Sequence, residues 1–324
     1  MDILSSIRQP IVKELEDFQE LFSSSLQHDN PILGVALRHV LQRKGKMMRP
    51  IMVMLWARYG GVVNKAVLHA AAALEMLHTA SLVHDDVVDE SDRRRGQKSV
   101  NALLDNKAAV LVGDYMLSTA LQHAALTQNS RVVEWVALLG KTLAEGELKQ
   151  LSNIDSGVID EESYLDVIRK KTASLFETCA KVGAYLSGAS EEHVEWARLY
   201  GEYVGVCFQL RDDIFDYFDA SEIGKPTGND MQEGKLTLPV IYAVSQEGAE
   251  DMRALAFKVR AGEATAEEIA QLVDFTKKSG GIEYAQHKMM DFHARAVDLL
   301  KACEHPEVAN SLRMYADFAV NRTV

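Results

Sequence analysis

Two acidic clusters with the same spacing are the residues in this sequence best suited to chemistry. Each reads D-D-x-x-D, and the members are Asp85, Asp86 and Asp89 in the first cluster and Asp212, Asp213 and Asp216 in the second. Residues four apart on a helix lie one above the other, so the first and last aspartates of a cluster point the same way. Magnesium prefers carboxylate oxygens and commonly shares them with substrate phosphates. The repeat therefore predicts Mg²⁺ ions that hold a diphosphate between two opposed clusters.

An ordinary acidic surface patch is the alternative explanation for either cluster taken alone. Apolar residues surround both clusters, with Leu82 and Val83 before the first and Phe208, Ile214 and Phe215 around the second. Unpaired carboxylates are costly near apolar surroundings, and divalent cations would remove that cost. Two such clusters in apolar helices favour the metal site.

Basic residues form short islands beside the acidic clusters, in a chain whose formal net charge is −12. The islands contain Lys46 and Arg49 upstream, Arg93, Arg94 and Arg95 after the first cluster, Lys171 in mid-chain, and Lys225 and Lys235 after the second cluster. Arginine matches phosphate oxygens with a planar fork, and lysine supplies a mobile point charge. The segment GKPTGND lacks the spacing of a P-loop, so no P-loop is predicted. We interpret the islands as part of a clamp for a metal-bound diphosphate.

Helices are the elements that would position these groups. No proline lies between residues 51 and 225, and strand patterns are scarce. A long helix is predicted from Asn64, its N-cap, through the first cluster, because helix formers dominate and apolar residues recur at three- and four-residue spacing. Further helices are predicted at roughly 2–27, 31–43, 48–59, 98–127, 130–152, 160–187, 191–221, 235–246, 265–278, 282–302 and 306–320. No linker divides the chain, so we predict one all-α domain over residues 1–324.

Composition excludes several classes of protein. An excess of acidic residues argues against a nucleic-acid partner, which normally meets a basic face. Three cysteines without a C-x-x-C pair fit a reducing compartment better than a disulfide framework or a structural zinc site. The N-terminal residues have no apolar signal core, and no run of about 20 uninterrupted apolar residues occurs. We therefore expect a cytoplasmic protein without a transmembrane helix.

Five segments in a fixed order resemble the motifs of one enzyme family. They are GKMMRP, LHTASLVHDDVVDESDRRRG, KTASLF, FQLRDDIFDYF and GKPTGNDMQEGKLTLPVIYA. Together they resemble the trans-isoprenyl diphosphate synthases, or polyprenyl synthetase family, over nearly the whole chain. The similarity is strongest to long-chain members of the octaprenyl or solanesyl kind.

The resemblance implies a fold and an activity. The fold would be a single-domain bundle of long helices around a central cavity, the isoprenoid synthase fold. The activity would join an allylic diphosphate, expected to be farnesyl diphosphate, to isopentenyl diphosphate in successive trans additions, releasing diphosphate. About three Mg²⁺ ions are expected once substrate is bound. A homodimer with at most peripheral membrane contact is also implied.

The resemblance also implies roles for single residues, carried over motif by motif. All six aspartates of the two clusters would bind Mg²⁺. The reacting centre would contain Lys171, Thr172, Gln209 and Lys225. The allylic diphosphate would contact Arg94, Lys171, Lys225 and Lys235, and the isopentenyl diphosphate would contact Lys46, Arg49, His78 and Arg95. The sequence departs from the family at Met47, where a basic residue is common, and at Arg93, which adds a third arginine.

Small residues precede the first cluster on the same predicted helix. Ala80 and Ser81 stand five and four positions before Asp85, where short-chain relatives often place an aromatic floor. We interpret them as the open wall of a tunnel for a long product, with Leu77 one turn further up. A deeper floor is expected from Tyr115, Met116 and Leu117 on the following helix. The alternative is that they only permit close helix packing.

Four other functions share parts of this pattern. A shorter-chain geranylgeranyl or farnesyl diphosphate synthase would share every motif. A terpene cyclase usually carries an Asn/Ser/Glu metal motif in place of the second aspartate cluster. A non-catalytic subunit of a heteromeric prenyl synthase tends to have eroded clusters, whereas both are intact here. An HD-type phosphohydrolase, suggested by His84-Asp85, would need further histidine ligands.

Overall fold

Helices make up nearly all the regular structure in the computed structural model, which describes residues 3–42, 45–94, 96–154, 158–218, 228–301, 303 and 305–322. The α-helices are α1 Ile3–Arg8, α2 Val12–Ser25, α3 Pro31–Gln42, α4 Met48–Gly60, α5 Lys65–Val88, α6 Val100–Leu103, α7 Asn106–Leu126, α8 Ser130–Ile154, α9 Glu161–Ile168, α10 Ser174–Leu186, α11 Glu191–Phe215, α12 Asn229–Gln232, α13 Leu238–Ser245, α14 Glu250–Arg260, α15 Ala266–Lys278, α16 Gly281–Asp298 and α17 Pro306–Asn321. The all-α prediction is confirmed.

Local signals account for several differences from the predicted boundaries. A short 3-10 turn, Gln9–Ile11, interrupts the first predicted helix at Pro10. A two-stranded antiparallel hairpin joins Arg93–Arg94 to Gln97–Lys98, and Asp105 caps a new helix by accepting from the Ala108 N–H. The sequence analysis missed helix α14, which buries only Ala256 and Val259.

The chain divides into two compact units, and each contains several chain segments. The first comprises Met1–Gly140, Leu175–Arg198 and Ala302–Met314, and the second comprises Lys141–Ser174, Leu199–Lys301 and Tyr315–Val324. The first aspartate cluster belongs to the first unit and the second cluster to the second unit. The single domain and the convergence of the two clusters remain predictions.

Helix α5 forms the centre of the first unit. The side chain of Asn64 accepts a hydrogen bond from the Val67 N–H, which confirms the predicted N-cap. The helix packs mainly against α7, and also against α4 and α2. Its residues from Ala70 to Leu74 are fully buried. By length and composition α5 is the one described helix that could span a bilayer, but 61% of its most apolar window is buried inside the protein, as in many core helices.

One helix of the second unit changes its pitch where it ends. The side chain of Asp160 caps α9 by accepting from the Ser163 N–H. A π-helical turn, Arg169–Ala173, then follows before α10 begins. Single π turns inside helices often occur at functional sites, because they re-aim the side chains they carry. Two of the predicted site residues, Lys171 and Thr172, lie in this turn.

Candidate functional site

The first aspartate cluster lies at the C-terminal end of α5. Asp85 and Asp86 belong to its last turn, and Asp89 is the C-cap, whose N–H donates to the Asp85 carbonyl at 2.8 Å. Asp86 is 1% exposed, whereas Asp89 is exposed. The cluster therefore has one buried carboxylate between two that lie nearer the surface.

An ion pair holds the buried carboxylate of the first cluster. Arg94, on the hairpin that follows α5, donates from Nε to Oδ1 of Asp86 at 2.6 Å. The other oxygen, Oδ2, is buried without a hydrogen-bond partner among the described residues. Such an orphaned oxygen retains the capacity to bind a donor or a cation.

The second cluster repeats this arrangement at the end of α11. Asp212 and Asp213 lie in the last turn, and Asp216 follows the helix with its N–H directed to the Asp212 carbonyl at 3.3 Å. Asp213 is 3% exposed, and the side chain of Asp212 is 47% exposed. Oδ1 of Asp212 pairs with the Arg322 guanidinium at 2.6 Å.

Asp216 organises the segment that follows the second cluster. Its two carboxylate oxygens accept the backbone N–H groups of Asn229 and Asp230, each at 3.1 Å. Burial and the neighbouring Asp216 charge raise the pKa of Asp230 to about 7. Negative charge is thus concentrated at this end of α11.

Four side chains in the second unit form a continuous hydrogen-bonded chain. Thr172 Oγ1 donates to Gln209 Oε1 at 2.7 Å, and Gln209 Nε2 donates to Asp213 Oδ1 at 2.7 Å. The hydroxyl of Tyr164 donates to the other oxygen, Asp213 Oδ2. Burial raises the pKa of Asp213 well above its usual range, and Asp230 adds to that shift. The structure thus brings together Thr172 and Gln209, the two residues predicted to line the reacting centre.

Both clusters suit a divalent cation that arrives with its own ligands. A helix C-terminus carries partial negative charge, so carboxylates there repel one another and attract cations. No group of three His, Cys, Asp or Glu side chains within the described ranges is positioned to hold a metal ion by itself. Magnesium commonly takes one or two carboxylates and completes its shell with water and substrate phosphates. The donor set therefore fits Mg²⁺ that binds together with a diphosphate.

Basic residues of the second unit are already engaged with acidic ones. Lys171 Nζ lies 2.6 Å from Glu147 Oε1 on α8, and Lys235 pairs with Glu233. A Cβ at Gly146 would lie 3.0 Å from the backbone nitrogen of Lys171, so α8 approaches the π turn closely at this glycine. Lys225 lies outside the described residues.

The predicted isopentenyl diphosphate residues belong to the first unit. Lys46 is exposed, and Arg49 is half-buried with its guanidinium 5.4 Å from the centre of the Phe176 ring. Nε of Arg49 is buried and has no hydrogen-bond partner in the described part of the chain. His78 is half-buried on α5, and Arg95 lies outside the described residues.

Comparison with known proteins identifies the family. The family model described as polyprenyl synthetase matches residues 30–276. The chain is 33% identical over 310 residues to octaprenyl diphosphate synthase of Haemophilus influenzae, covering 95% of this chain and 94% of that protein. The chain belongs to the polyprenyl synthetase family. The predicted resemblance and the all-α isoprenoid synthase fold are confirmed.

Two solved structures support the same assignment within this family. One is geranylgeranyl pyrophosphate synthase from Bacteroides thetaiotaomicron, with a TM-score of 0.87, 49% identity and coverage of 99% of this chain and 100% of that chain. The other is a polyprenyl synthase from Caulobacter crescentus complexed with calcium and isoprenyl diphosphate, with a TM-score of 0.91 and 30% identity. It covers 99% of this chain and 98% of that chain. The family catalyses prenyl transfer, and its named members differ in product length.

The residues predicted to set product length lie on α5 and α7 of this family member. Ala80, Leu77 and Met116 are buried, and Ser81 and Tyr115 are half-buried. The two helices run antiparallel, because the His84 ring contacts the Val110 carbonyl whereas His69 contacts His123. These positions are compatible with a tunnel wall and with close helix packing.

Three functional candidates escaped the sequence analysis. The Tyr164 hydroxyl donates to Asp213, and Arg322 forms an ion pair with Asp212. Asp230 lies close enough to Asp216 for that charge to raise its pKa. Asp230 lies inside a recognised family segment and was open to prediction. Tyr164 and Arg322 have no local pattern that marks them, because their partners lie 49 and 110 residues away in sequence.

Proposed function

We propose that the protein is a magnesium-dependent synthase that extends an allylic diphosphate with isopentenyl diphosphate to a long-chain polyprenyl diphosphate. The supporting observation is the matched placement of two aspartate clusters. Each ends a long helix, with a buried middle aspartate between two that are less buried. Family membership supports the allylic and isopentenyl diphosphates as the two substrates.

In this proposal Asp85, Asp89, Asp212 and Asp216 are the residues that bind Mg²⁺. When bound, Mg²⁺ neutralises the charge that develops on the departing diphosphate. Asp86 is the further candidate, since its Oδ2 is the buried orphaned oxygen. Asp213 is 3% exposed and both of its oxygens accept from side chains, so we propose a supporting role for it. The oxygens of Asp216 accept from backbone N–H groups, but this residue is only half-buried and is kept as a ligand.

Cationic side chains bind the diphosphate groups of the two substrates. Those proposed for the allylic diphosphate are Arg94, Lys171, Lys225 and Lys235, and those for isopentenyl diphosphate are Lys46, Arg49, His78 and Arg95. The side chains of Lys171 and Arg94 are 32% and 27% exposed, so both are accessible from solvent. When a diphosphate binds, the Lys171 ammonium would leave Glu147 and pair with phosphate oxygens instead.

The reaction needs no protein nucleophile. The C–O bond of the allylic diphosphate breaks, the isopentenyl double bond attacks the allylic cation, and a proton leaves to the released diphosphate. Thr172 and Gln209 line this centre and orient the reacting carbons. Preorganised oxygen dipoles stabilise a cation without reorganising during the reaction.

Product length is the finer part of the proposal. The small side chains of Ala80 and Ser81 support a tunnel that continues past the first aspartate cluster. A geranylgeranyl product is the second candidate, favoured by the 49% identity to the structure named geranylgeranyl pyrophosphate synthase. The two differ only in how many additions precede release.

We also propose a cytoplasmic homodimer. Four large apolar side chains of α7 are well exposed: Val110, Leu111, Leu121 and Leu126, at 40%, 68%, 44% and 51%. Val110 and Leu121 are eleven residues apart and therefore occupy nearly the same side of the helix. Leu111 and Leu126 lie about 100° and 160° around the helix from Val110, so the four residues make a broad exposed apolar face. Such a face commonly marks a protein–protein interface.

The function is tested with purified protein, farnesyl diphosphate, labelled isopentenyl diphosphate and Mg²⁺, followed by sizing of the products. We expect products longer than geranylgeranyl diphosphate, and loss of turnover when EDTA removes the metal. Asp212→Asn is expected to raise the Mg²⁺ concentration for half-maximal rate, whereas Asp298→Asn at an exposed ion pair with Lys301 serves as control. A chain that makes no labelled product with any allylic primer contradicts the proposal.

A further inference from the structure

We infer that Tyr164 is a positioning residue that sets the orientation of Gln209 and Thr172 through Asp213. The inference rests on the proposed condensation reaction, and it adds a residue that no family motif quoted above contains. It follows from the hydrogen-bonded chain that joins α9, the π turn and α11 within the second unit.

Chemistry fixes the direction of each hydrogen bond in this chain. Asp213 Oδ1 accepts from Gln209, so the amide nitrogen of Gln209 faces Asp213 and its oxygen faces Thr172. The Thr172 hydroxyl must then donate its single proton to that oxygen, at 2.7 Å. The lone pairs of Thr172 Oγ1 therefore point away from Gln209 and are presented as an acceptor.

This direction does not depend on where the proton shared by Asp213 and Tyr164 lies. That contact uses Oδ2, whereas the bond to Gln209 uses Oδ1. With the proton on either oxygen of the Tyr164–Asp213 pair, Oδ1 still accepts from Gln209. The orientation of Thr172 therefore follows whenever Oδ1 of Asp213 carries no proton of its own.

Tyr164 is the member that prevents Asp213 from turning. Gln209 and Asp213 are four apart on α11, so their hydrogen bond alone would leave the carboxylate held at one oxygen. Tyr164 reaches the second oxygen from a different helix, and it is 8% exposed while Asp213 is 3% exposed. Water is therefore a poor substitute for the tyrosine hydroxyl at this depth.

The arrangement also relates two positions on one segment. Tyr164 lies on α9 and Thr172 lies in the π turn that follows it. Each of these two residues hydrogen-bonds to a residue of α11. A change at Tyr164 should thus reach the reacting centre without touching the substrates. Turnover should suffer more than the binding of either substrate or of Mg²⁺.

The first test is Tyr164→Phe, with Tyr217→Phe as the matched control. Tyr217 is a buried tyrosine of the same unit and is 2% exposed. Its hydroxyl lies 3.4 Å from Thr237 Oγ1 and does not take part in the hydrogen bonds that link Tyr164 to Thr172. We expect Tyr164→Phe to lower kcat about tenfold or more, with both KM values and the half-saturating Mg²⁺ changed by less than about twofold. Tyr217→Phe should retain kcat. Equal kcat values for Tyr164→Phe and wild type overturn the inference.

A second comparison separates positioning from a general loss of structure. Thr172→Val removes the hydroxyl that Tyr164 orients, so adding Tyr164→Phe to it should cost no further kcat. Fully additive losses would show that Tyr164 does not act through Thr172. If Tyr164→Phe fails to fold, Asp213→Asn supplies the test, because it keeps the shape and removes the buried charge.

For Asp213→Asn we expect a lower kcat with half-saturating Mg²⁺ within about twofold of wild type, since the amide can turn either way. Asp212→Asn should instead raise the half-saturating Mg²⁺. A shift for Asp213→Asn as large as that for Asp212→Asn assigns Asp213 to the metal and overturns the inference. An inactive wild-type chain would instead overturn the proposed condensation, and the inference that depends on it.

Discussion

Arg94 and Asp86 form an ion pair in which the arginine is 27% exposed and the aspartate only 1%. The pair joins the hairpin after α5 to the buried carboxylate of the first aspartate cluster. A buried carboxylate that loses its partner keeps its desolvation cost, so this contact matters more than an exposed salt bridge would. Arg94 therefore contributes to the order of the cluster as well as being a proposed contact for diphosphate.

Arg94→Ala should lower the free energy of unfolding by about 1–3 kcal/mol, because Asp86 is left buried and unpaired. Denaturant titration without Mg²⁺ measures the change. The neighbouring Arg93 is exposed on the same strand, and Arg93→Ala should change stability by less than about 0.5 kcal/mol. Equal effects of the two substitutions would contradict the role assigned to the ion pair.

The buried pair His69 and His123 should make stability depend on pH. Their Nδ1 atoms lie 3.0 Å apart, and burial lowers the pKa of both rings, with added contributions from Lys65 at His69 and from His69 at His123. Below the ordinary value of 6.5 the unfolded chain binds protons that the folded chain resists. Stability should therefore fall as pH decreases from about 7 to 5, by up to ~1.4 kcal/mol per pH unit for each ring.

Unfolding titrations at several pH values test this slope. His123→Gln removes one titrating ring of the buried pair and should flatten the slope. A slope that is identical in wild type and His123→Gln would refute the assignment.

Gly183→Ala should destabilise the first unit. A Cβ at this position would lie 2.1 Å from the Val53 carbonyl oxygen, which belongs to the backbone of α4 and cannot move aside cheaply. We expect a loss of about 1–3 kcal/mol in unfolding free energy. At Gly140 the added Cβ meets only Leu77 Cδ1 at 3.9 Å, so Gly140→Ala should be neutral or stabilise by up to ~1 kcal/mol. Thermal and chemical unfolding of both variants provide the comparison, and a harmless Gly183→Ala would show that the two helices separate easily.

Ala80→Phe should shorten the polyprenyl product, because a ring at this buried position would block the proposed tunnel. Product sizing with labelled isopentenyl diphosphate gives the result, and Ala254→Phe at an exposed position of α14 is the control. If Ala80→Phe is folded and active with an unchanged product distribution, the tunnel does not pass Ala80. A destabilised variant with unchanged products would favour the close-packing alternative.

Leu111→Glu combined with Leu121→Glu should disrupt the proposed dimer, because both side chains belong to the exposed apolar face of α7. Sedimentation velocity is expected to show a monomer for this variant and a dimer for wild type. Val62, 66% exposed elsewhere in the same unit, provides Val62→Glu as control. A wild-type chain that sediments as a monomer rules out the homodimer.

The sequence by itself determined the class of fold and the family, and it predicted the chemistry of the site. Helix periodicity, the cap at Asn64 and the scarcity of proline depend on residues close together in sequence, so they could be identified without coordinates. The doubled aspartate pattern likewise predicts carboxylates for a metal that binds together with a diphosphate. Helix α14 escaped this approach because its apolar stripe is narrow.

Tertiary structure decided which aspartate of each cluster is buried and what holds it. Asp86 pairs with Arg94, and Asp213 accepts hydrogen bonds from Tyr164 and Gln209. The D-D-x-x-D pattern alone does not distinguish the three aspartates of a cluster. Burial depends on which distant segments pack over a helix end. A local pattern carries no information about those segments, and so the roles of Tyr164 and Arg322 emerged only from the folded chain.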